Sequence, residues 1–195
     1  VSTTGLVAYR SGETTRRQLT WLDRAGQLLG TLGAPDDSAL AAPRLSPDGR
    51  RVAVSRTVQG NVDIWLLDGA RASRFTFDAA LDRGPVWSPD GNRIVFESNR
   101  KGPRNLYVKP SSGAGSEELL LESPQDKVAS DWSADGRFLL YRSLDPQTGR
   151  DLWVGAASGL AVGAGTAERS GRPFDFRGAN AHPSSNSDAG PHAWQ

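Results

Sequence analysis

The chain contains no cysteine, which excludes disulfide staples, cysteine zinc sites and thiol catalysis. Methionine is also absent, even at position 1, so a chain opening on Val1 reads as a processed product or a piece of a longer protein. Lysine is scarce: Lys101, Lys109 and Lys127 are the only ammonium side chains, and the other cations are arginines. No apolar run approaches the ~18 consecutive residues of a membrane span. No N-terminal stretch has the charged-then-apolar form of a signal peptide, so any leader or anchor is expected to have been removed or to lie outside this piece. Neither charge sign dominates: 23 Lys+Arg against 22 Asp+Glu leave +1 over 195 residues. Such a balance gives no electrostatic reason to expect nucleic acid or an anionic membrane as partner.

What is present is repetition. Leu45-Ser46-Pro47-Asp48-Gly49 recurs as Trp87-Ser88-Pro89-Asp90-Gly91 and as Trp132-Ser133-Ala134-Asp135-Gly136, with the aspartates 42 and 45 residues apart. Each turn precedes a short alternating run, with Val52/Val54, Ile94/Phe96 and Leu139/Tyr141 on the inward side. Alternation with period two marks a half-buried strand. On this pattern Glu97 points away from the core and is expected to tolerate substitution. Val7 and Tyr9 lie 45 residues before Val52 and Val54, a further copy without its preceding turn. A next strand recurs as Asp63-Ile64-Trp65-Leu66, Asn105-Leu106-Tyr107-Val108 and Asp151-Leu152-Trp153-Val154, with Leu19-Thr20-Trp21-Leu22 as a looser version. A last strand recurs as Arg74-Phe75-Thr76-Phe77 and Glu118-Leu119-Leu120-Leu121, with 28–32 before them.

Units of ~40–45 residues with four short strands each are the signature of a β-propeller blade. The expectation is an all-β fold: a partial, open β-propeller of four-stranded antiparallel blades, about two of them full and two incomplete, spanning residues 5–154. The blades fall at about 5–33, 43–77, 85–121 and 127–154, the first without its opening strand and the last without its closing one. Beyond Val154 the pattern stops. Small or turn-forming residues (Gly, Ala, Ser, Pro) fill 24 of the 41 positions in 155–195, too little apolar surface to offset ordering entropy. This Gly/Ala/Ser-rich tail is expected to be disordered, and its abrupt onset also fits a frame-shifted reading frame.

Most motif-like residues have a structural explanation. In Ser-Pro-Asp-Gly, Pro pre-sets φ, Asp accepts nearby backbone N–H groups, and Gly takes positive φ. Asp48, Asp90 and Asp135 are therefore read as turn residues rather than chemical groups. Trp65, Trp87, Trp132 and Trp153 recur at blade spacing and are read as inter-blade packing, each burying ~150–250 Å², in preference to ligand stacking.

The series Trp-Ser-Pro-Asp-Gly, Ile94-Val95-Phe96-Glu97-Ser98 and Asn105-Leu106-Tyr107-Val108 resembles the WD-like β-propeller repeat of the TolB family, over about residues 5–154. Phe75-Thr76-Phe77-Asp78, Asn99-Arg100-Lys101-Gly102 and Asp145-Pro146-Gln147-Thr148-Gly149 look particularly like the propeller half of bacterial proteins with an N-terminal Ser/Thr kinase. The resemblance implies an extracytoplasmic interaction or sensor module. The chain departs from it in having few blades and an unrelated tail.

A search for chemistry returns little. Both histidines, His182 and His192, sit in the tail, where no imidazole would be rigidly held for a Ser-His-Asp triad. No Gly-x-Ser-x-Gly elbow, Walker loop, EF-hand loop, paired-His motif or kinase signature occurs, and Gly113-Ala114-Gly115-Ser116 reads as a flexible hairpin. Asp126 and Asp131 flank Lys127, and Asp82 precedes Arg83 in what looks like the corresponding place one blade earlier. These charges either line the channel or sit in ordinary solvated loops, the latter being favoured. Arg100, Lys101 and Arg104 form a basic hairpin that serves solubility or docks a partner.

The sequence therefore predicts no catalytic, cofactor-binding or metal-ligating residue, no cofactor, and no enzymatic activity. It predicts a bacterial repeat module, a fragment of a larger protein, that meets a protein partner or small ligand at its channel or loops. The alternative is the gating propeller of a prolyl-oligopeptidase-type peptidase whose catalytic domain is absent from this chain.

Overall fold

Residues rich in β-branched and aromatic side chains, punctuated every few positions by Gly, Pro and Asp, have little choice but short antiparallel strands. The computed structural model describes residues 16–157 and the backbone of Val7–Ala8. Among these residues every regular element is a strand. The first sheet holds β1 (Val7–Ala8), β2 (Arg17–Leu22) and β3 (Leu28–Asp36). The second holds β4 (Ala39–Leu45), β5 (Arg51–Val58), β6 (Asn61–Asp68) and β7 (Arg71–Arg74). The third holds β8 (Asp82–Trp87), β9 (Arg93–Ser98), β10 (Asn105–Pro110) and β11 (Glu118–Leu121). The fourth holds β12 (Lys127–Trp132), β13 (Phe138–Asp145) and β14 (Gly149–Ala156). Neighbouring strands are antiparallel and consecutive in sequence. The result is an open propeller of two four-stranded and two three-stranded blades. β14 continues through Ala156, two residues past the last patterned position, and the Ala157 N–H donates to the Arg137 carbonyl at 2.7 Å. The rest of the expected tail, 158–195, lies outside the described residues.

The turn motif folds in the way its chemistry requires. In all three copies the serine hydroxyl donates to the aspartate two residues on. The same hydroxyl accepts the first N–H of the following strand, from Arg51, Arg93 or Phe138, at 2.9 Å. The glycines Gly49, Gly91 and Gly136 take φ of 73°, 70° and 72°. The turns also stack: a Cβ on Gly91 would sit 3.7 Å from Pro47, and one on Gly136 4.0 Å from Pro89 of the preceding blade. Serine and backbone donors hold the turn aspartates below the usual carboxylate range, Asp135 down to about 2.

The core is not one mass but three seams, each between consecutive blades. Leu32, Val52, Val54 and Leu67 close the first seam. Ala53, Ile64, Phe75, Trp87, Ile94 and Phe96 close the second. Val86, Val95, Leu106, Ala129, Trp132 and Leu139 close the third. The inward residues of the repeat thus face the preceding blade, and the residues between them face the next one. Glu97 accordingly lies under the fourth blade at 4% exposure. The expectation that it faces solvent fails because a middle blade is covered on both sides, so period-two alternation marks which neighbour a side chain meets, not whether it meets water.

Each of β4, β8 and β12 carries a register shift at the same place, between Ala41 and Arg44, Arg83 and Val86, and Ala129 and Asp131. Pro43 and Pro85 occupy the first two bulges, where no ladder donor is needed. At Gly84 φ is +64°, which glycine adopts freely, while its counterpart Ala42 holds +48°, a conformation that costs an L-residue about 1 kcal/mol or more.

Candidate functional site

The charged residues singled out by sequence converge, but on one another. Arg100 leaves the β9–β10 hairpin and folds back over the Tyr107 ring, 4.4 Å from its centroid. Its Nη2 donates to both oxygens of Asp82 at 3.0 Å, and its Nε donates to Ser98 Oγ at 2.9 Å. Glu117 takes its Nη1 at 2.6 Å. Asp82 is fully buried, and burial pushes its carboxyl up against the lowering effect of Ser98 and Arg100. Arg104, from the same hairpin, reaches forward one blade. Its backbone N–H, Nε and Nη2 all donate to Asp126, at 2.8, 3.0 and 2.7 Å, and hold that carboxyl low. Lys101 alone stays on the surface, 3.7 Å from Glu122. The basic hairpin is therefore not a solvated patch: Arg100 bolts it to the first strand of its own blade, and Arg104 to the residue just before the first strand of the next.

Glu97 sits between these pairs. Arg83 Nε donates to its Oε1 at 2.9 Å, and Arg104 Nη1 to its Oε2 at 3.4 Å. Burial and the nearby Asp126 carboxylate still push the Glu97 carboxyl up to about 8, with Arg142 opposing. Lys127, also buried, donates to Asn105 Oδ1, Ser123 O and Gln125 O at 3.0, 3.3 and 2.8 Å. Burial pushes its ammonium down to about 8.

Strand pairing corrects one correspondence. Asp82 opposes Ser98, and Lys127 opposes Ser143, so Asp82 corresponds to Lys127 rather than to Asp126. One blade fills this buried position with an acid clamped by arginine, the next with an ammonium clamped by carbonyls. Asp131 is exposed, and its Oδ1 accepts the Trp132 N–H at 2.8 Å.

Where the first strands meet, Trp87 Nε1 donates to the Arg44 carbonyl at 3.0 Å, and Arg44 Nη2 reaches Ser130 O in β12 at 3.4 Å. These contacts tie three blades across the inner strands. A cavity of about 180 Å³ opens elsewhere, on the second blade, lined by Val58, Gln59, Asn61, Asp63, Trp65 and Arg74. Its carboxylate is already engaged: Asp63 takes Arg74 at 2.8 Å and Asn61 at 3.1 Å.

Asp63, Asn105 and Glu117 also hold these cations, yet none was singled out as a candidate in the sequence. A usable signal existed for two of them, since Asp63 and Asn105 open the same repeated strand. Among the described residues no group of three or more His, Asp or Glu is placed to hold a metal ion. His182 and His192 lie outside the described residues. No helix of the described residues is long and apolar enough to cross a membrane.

Comparison with known proteins locates this geometry. A family model described as the TolB beta propeller domain matches residues 6–152. The chain is 32% identical over 96 residues to Tricorn protease homolog 1 of Streptomyces coelicolor, covering 48% of this chain and 9% of that protein. It is 27% identical over 114 residues to the Tol-Pal system protein TolB of Desulfosudis oleivorans, covering 57% and 25% respectively. The crystal structure of TolB from Acinetobacter baumannii superposes with a TM-score of 0.66 at 23% identity, over 80% of this chain and 39% of that one. The chain thus spans well under half the length of each of these relatives.

Proposed function

Because the chain belongs to the TolB beta propeller domain family, we propose that it works as a non-catalytic recognition module, binding a protein partner or small ligand where its first strands and their loops meet. The observation that carries this reading is the fate of the charges. The acids and bases best suited to chemistry, Asp82, Glu97, Arg100, Arg104 and Asp126, are spent on one another, three of the ion pairs bracing the third blade and Arg104–Asp126 joining it to the fourth. What the inner strands leave for a partner is shape and backbone: the bulges at Ala42-Pro43 and Gly84-Pro85, and exposed Arg44 and Asp131 beside them. Recognition by loops on a rigid scaffold needs no more. The near-zero net charge disfavours nucleic acid as that partner. Resemblance to Tol-Pal system proteins supports placing the module outside the cytoplasm.

A second reading is favoured by the Tricorn protease homolog: a propeller that gates a peptidase whose catalytic part lies elsewhere. Both readings expect this chain alone to leave fluorogenic peptides uncleaved. Hydrolysis that scales with chain concentration would overturn both. To test the binding face, a photo-crosslinking residue is placed at Arg44 or at Asp68, the latter at the far turn between β6 and β7. Adducts should form from position 44 in bacterial extract and not from 68. Equal yields from the two positions would remove the inner-strand reading.

A further inference from the structure

The cavity of about 180 Å³ on the second blade, lined by Val58, Gln59, Asn61, Asp63, Trp65 and Arg74, is built by that blade alone. At this seam the first blade brings its last strand, with Asp36 2.6 Å from Arg56 and Leu32 packed on Val52, Val54 and Leu67. None of these first-blade residues lines the cavity. The opening comes from a difference between blades. Trp65 opposes Val54 as Tyr107 opposes Phe96, so Val58 stands where the third blade has Arg100. There Arg100 lies 4.4 Å over Tyr107 and takes Glu117 at 2.6 Å, filling the space over its own sheet. Val58 is too short to do so.

The walls are polar but electrically balanced. Asp63 and Arg74 neutralise each other at 2.8 Å. Asn61 Nδ2 is spent on Asp63 Oδ2 and on the Asp78 carbonyl, at 3.1 and 3.0 Å, which leaves its Oδ1 as an acceptor. Arg74 gives Nε to the Thr76 carbonyl at 2.9 Å and Nη2 to Asp63, which leaves Nη1 as a donor. The Gln59 amide has no partner among the described residues and offers both kinds of group.

Gln59 is also a conformational outlier. With Gly60 it forms the two-residue turn between β5 and β6, at φ of 50° and 83°. Such turns favour Asn-Gly, Asp-Gly or Gly-Gly, and a longer side chain at positive φ costs about 1 kcal/mol or more. Turn chemistry therefore gives no reason for glutamine here. Its place is the rim of the cavity, and strained residues of this kind cluster at ligand clamps.

We infer that this cavity binds a small neutral polyhydroxylated ligand, one sugar ring in size, through the Gln59 amide, Asn61 Oδ1 and Arg74 Nη1. At ~30 Å³ per water the space holds about six waters, room for a single ring and well short of the ~300 Å³ at which drug-sized sites begin. A hydroxyl donates and accepts at once, which suits a wall of mixed donors and acceptors. The balanced Asp63–Arg74 pair leaves no excess charge for an ion. This site is separate from the inner-strand face, and neither reading depends on the other.

The test titrates the full, isotope-labelled chain with methyl glucoside, methyl mannoside and methyl galactoside, and reads the Gln59 side-chain amide and Trp65 indole N–H signals by NMR. At least one glycoside should move them saturably, with a dissociation constant of about 1 mM. Gln59→Gly suits the turn, so it should keep or raise the melting temperature while weakening binding several-fold. A glutamine that serves only the turn would leave binding unchanged, which overturns the assignment. Val58→Arg restores the third blade's filler and should abolish binding with circular dichroism unchanged; should that variant misfold, Gln59→Gly decides by itself. No saturable shift up to about ten times the expected dissociation constant also overturns the assignment. Tighter binding of glucuronic acid would give the cavity to an anion, and equal binding of acetamide would give it to a simple amide; either result ends the sugar reading.

Discussion

The third and fourth blades carry the same turn and the same strand pattern, yet among the described residues one is covered on both faces and the other on one. Arg93 follows the third blade's turn and lies 5.2 Å over Trp132 of the next blade, as Arg51 lies 4.9 Å over Trp87. The corresponding residue of the fourth blade is Phe138, 40% exposed, and the arginine beside it is Arg137. It stays 73% exposed, paired with Asp135 and lying over its own neighbour Phe138. Val95 and Glu97 are buried, whereas Leu140 is half-buried and Arg142 exposed. The motif builds the turn and the seam to the preceding blade. Whether the other face becomes core depends on what is stacked there, a decision no residue of that blade makes.

The largest expected contrast follows directly. Phe96→Ala removes a ring with no exposure from the second seam and should cost about 3–5 kcal/mol. Leu144→Ala, on the uncovered face, should stay within about 0.5 kcal/mol. Urea midpoints of the two variants decide it, and similar shifts would mean that the fourth blade is as well covered as the third. Arg100→Met comes next, at about 3 kcal/mol, because it leaves the buried Asp82 without its cation and Glu117 with only Lys109, 3.5 Å away. Arg142→Met should change little. If both variants melt together, the Arg100 network is ornament rather than scaffold.

A subtler effect concerns pH. Folded Glu97 keeps its proton to about 8, against an ordinary 4.5. Between those values the folded chain binds the extra proton, so this group's contribution to stability falls as pH rises. Folded Lys127 gives up its proton near 8, against 10.5. Between those values the unfolded chain binds more protons, so its contribution rises with pH. Together they place a stability minimum near pH 8. Midpoints measured from pH 5 to 10 should trace it, Glu97→Gln should flatten the acid limb, and Lys127→Met the alkaline one. A profile that climbs from pH 5 to 8 would show that Arg83 and Arg104 keep Glu97 ionised.

The smallest effect is a gain. Ala42→Gly relieves the left-handed backbone at the first bulge and should stabilise by about 0.5–1 kcal/mol. Gly84→Ala at the matching bulge should do the reverse, since its Cβ would lie 3.2 Å from Glu97 Oε1. Stabilisation by both substitutions would mean that the two bulges are not equivalent.

Much of the architecture was legible because its causes are local. Pro47, Asp48 and Gly49 dictate a turn whatever surrounds them, and Val52/Val54 or Ile94/Phe96 dictate a strand with one apolar side. The charges were not legible in this way. Arg100 and Asp82 stand 18 positions apart and Arg104 and Asp126 stand 22, and nothing in either segment announces the other. Glu97 was misplaced for the same reason: its cover comes from the fourth blade and not from its own strand.

By itself, then, the sequence determined the blade as a unit, with its turns, strand order and the face each strand turns to the blade before. Hydrogen bonds across a few residues and a period of two are enough for that. Only the tertiary structure decided which faces became seams and which charges paired with one another. Burial and pairing depend on the neighbour a surface meets, and that neighbour lies one whole blade away in the chain.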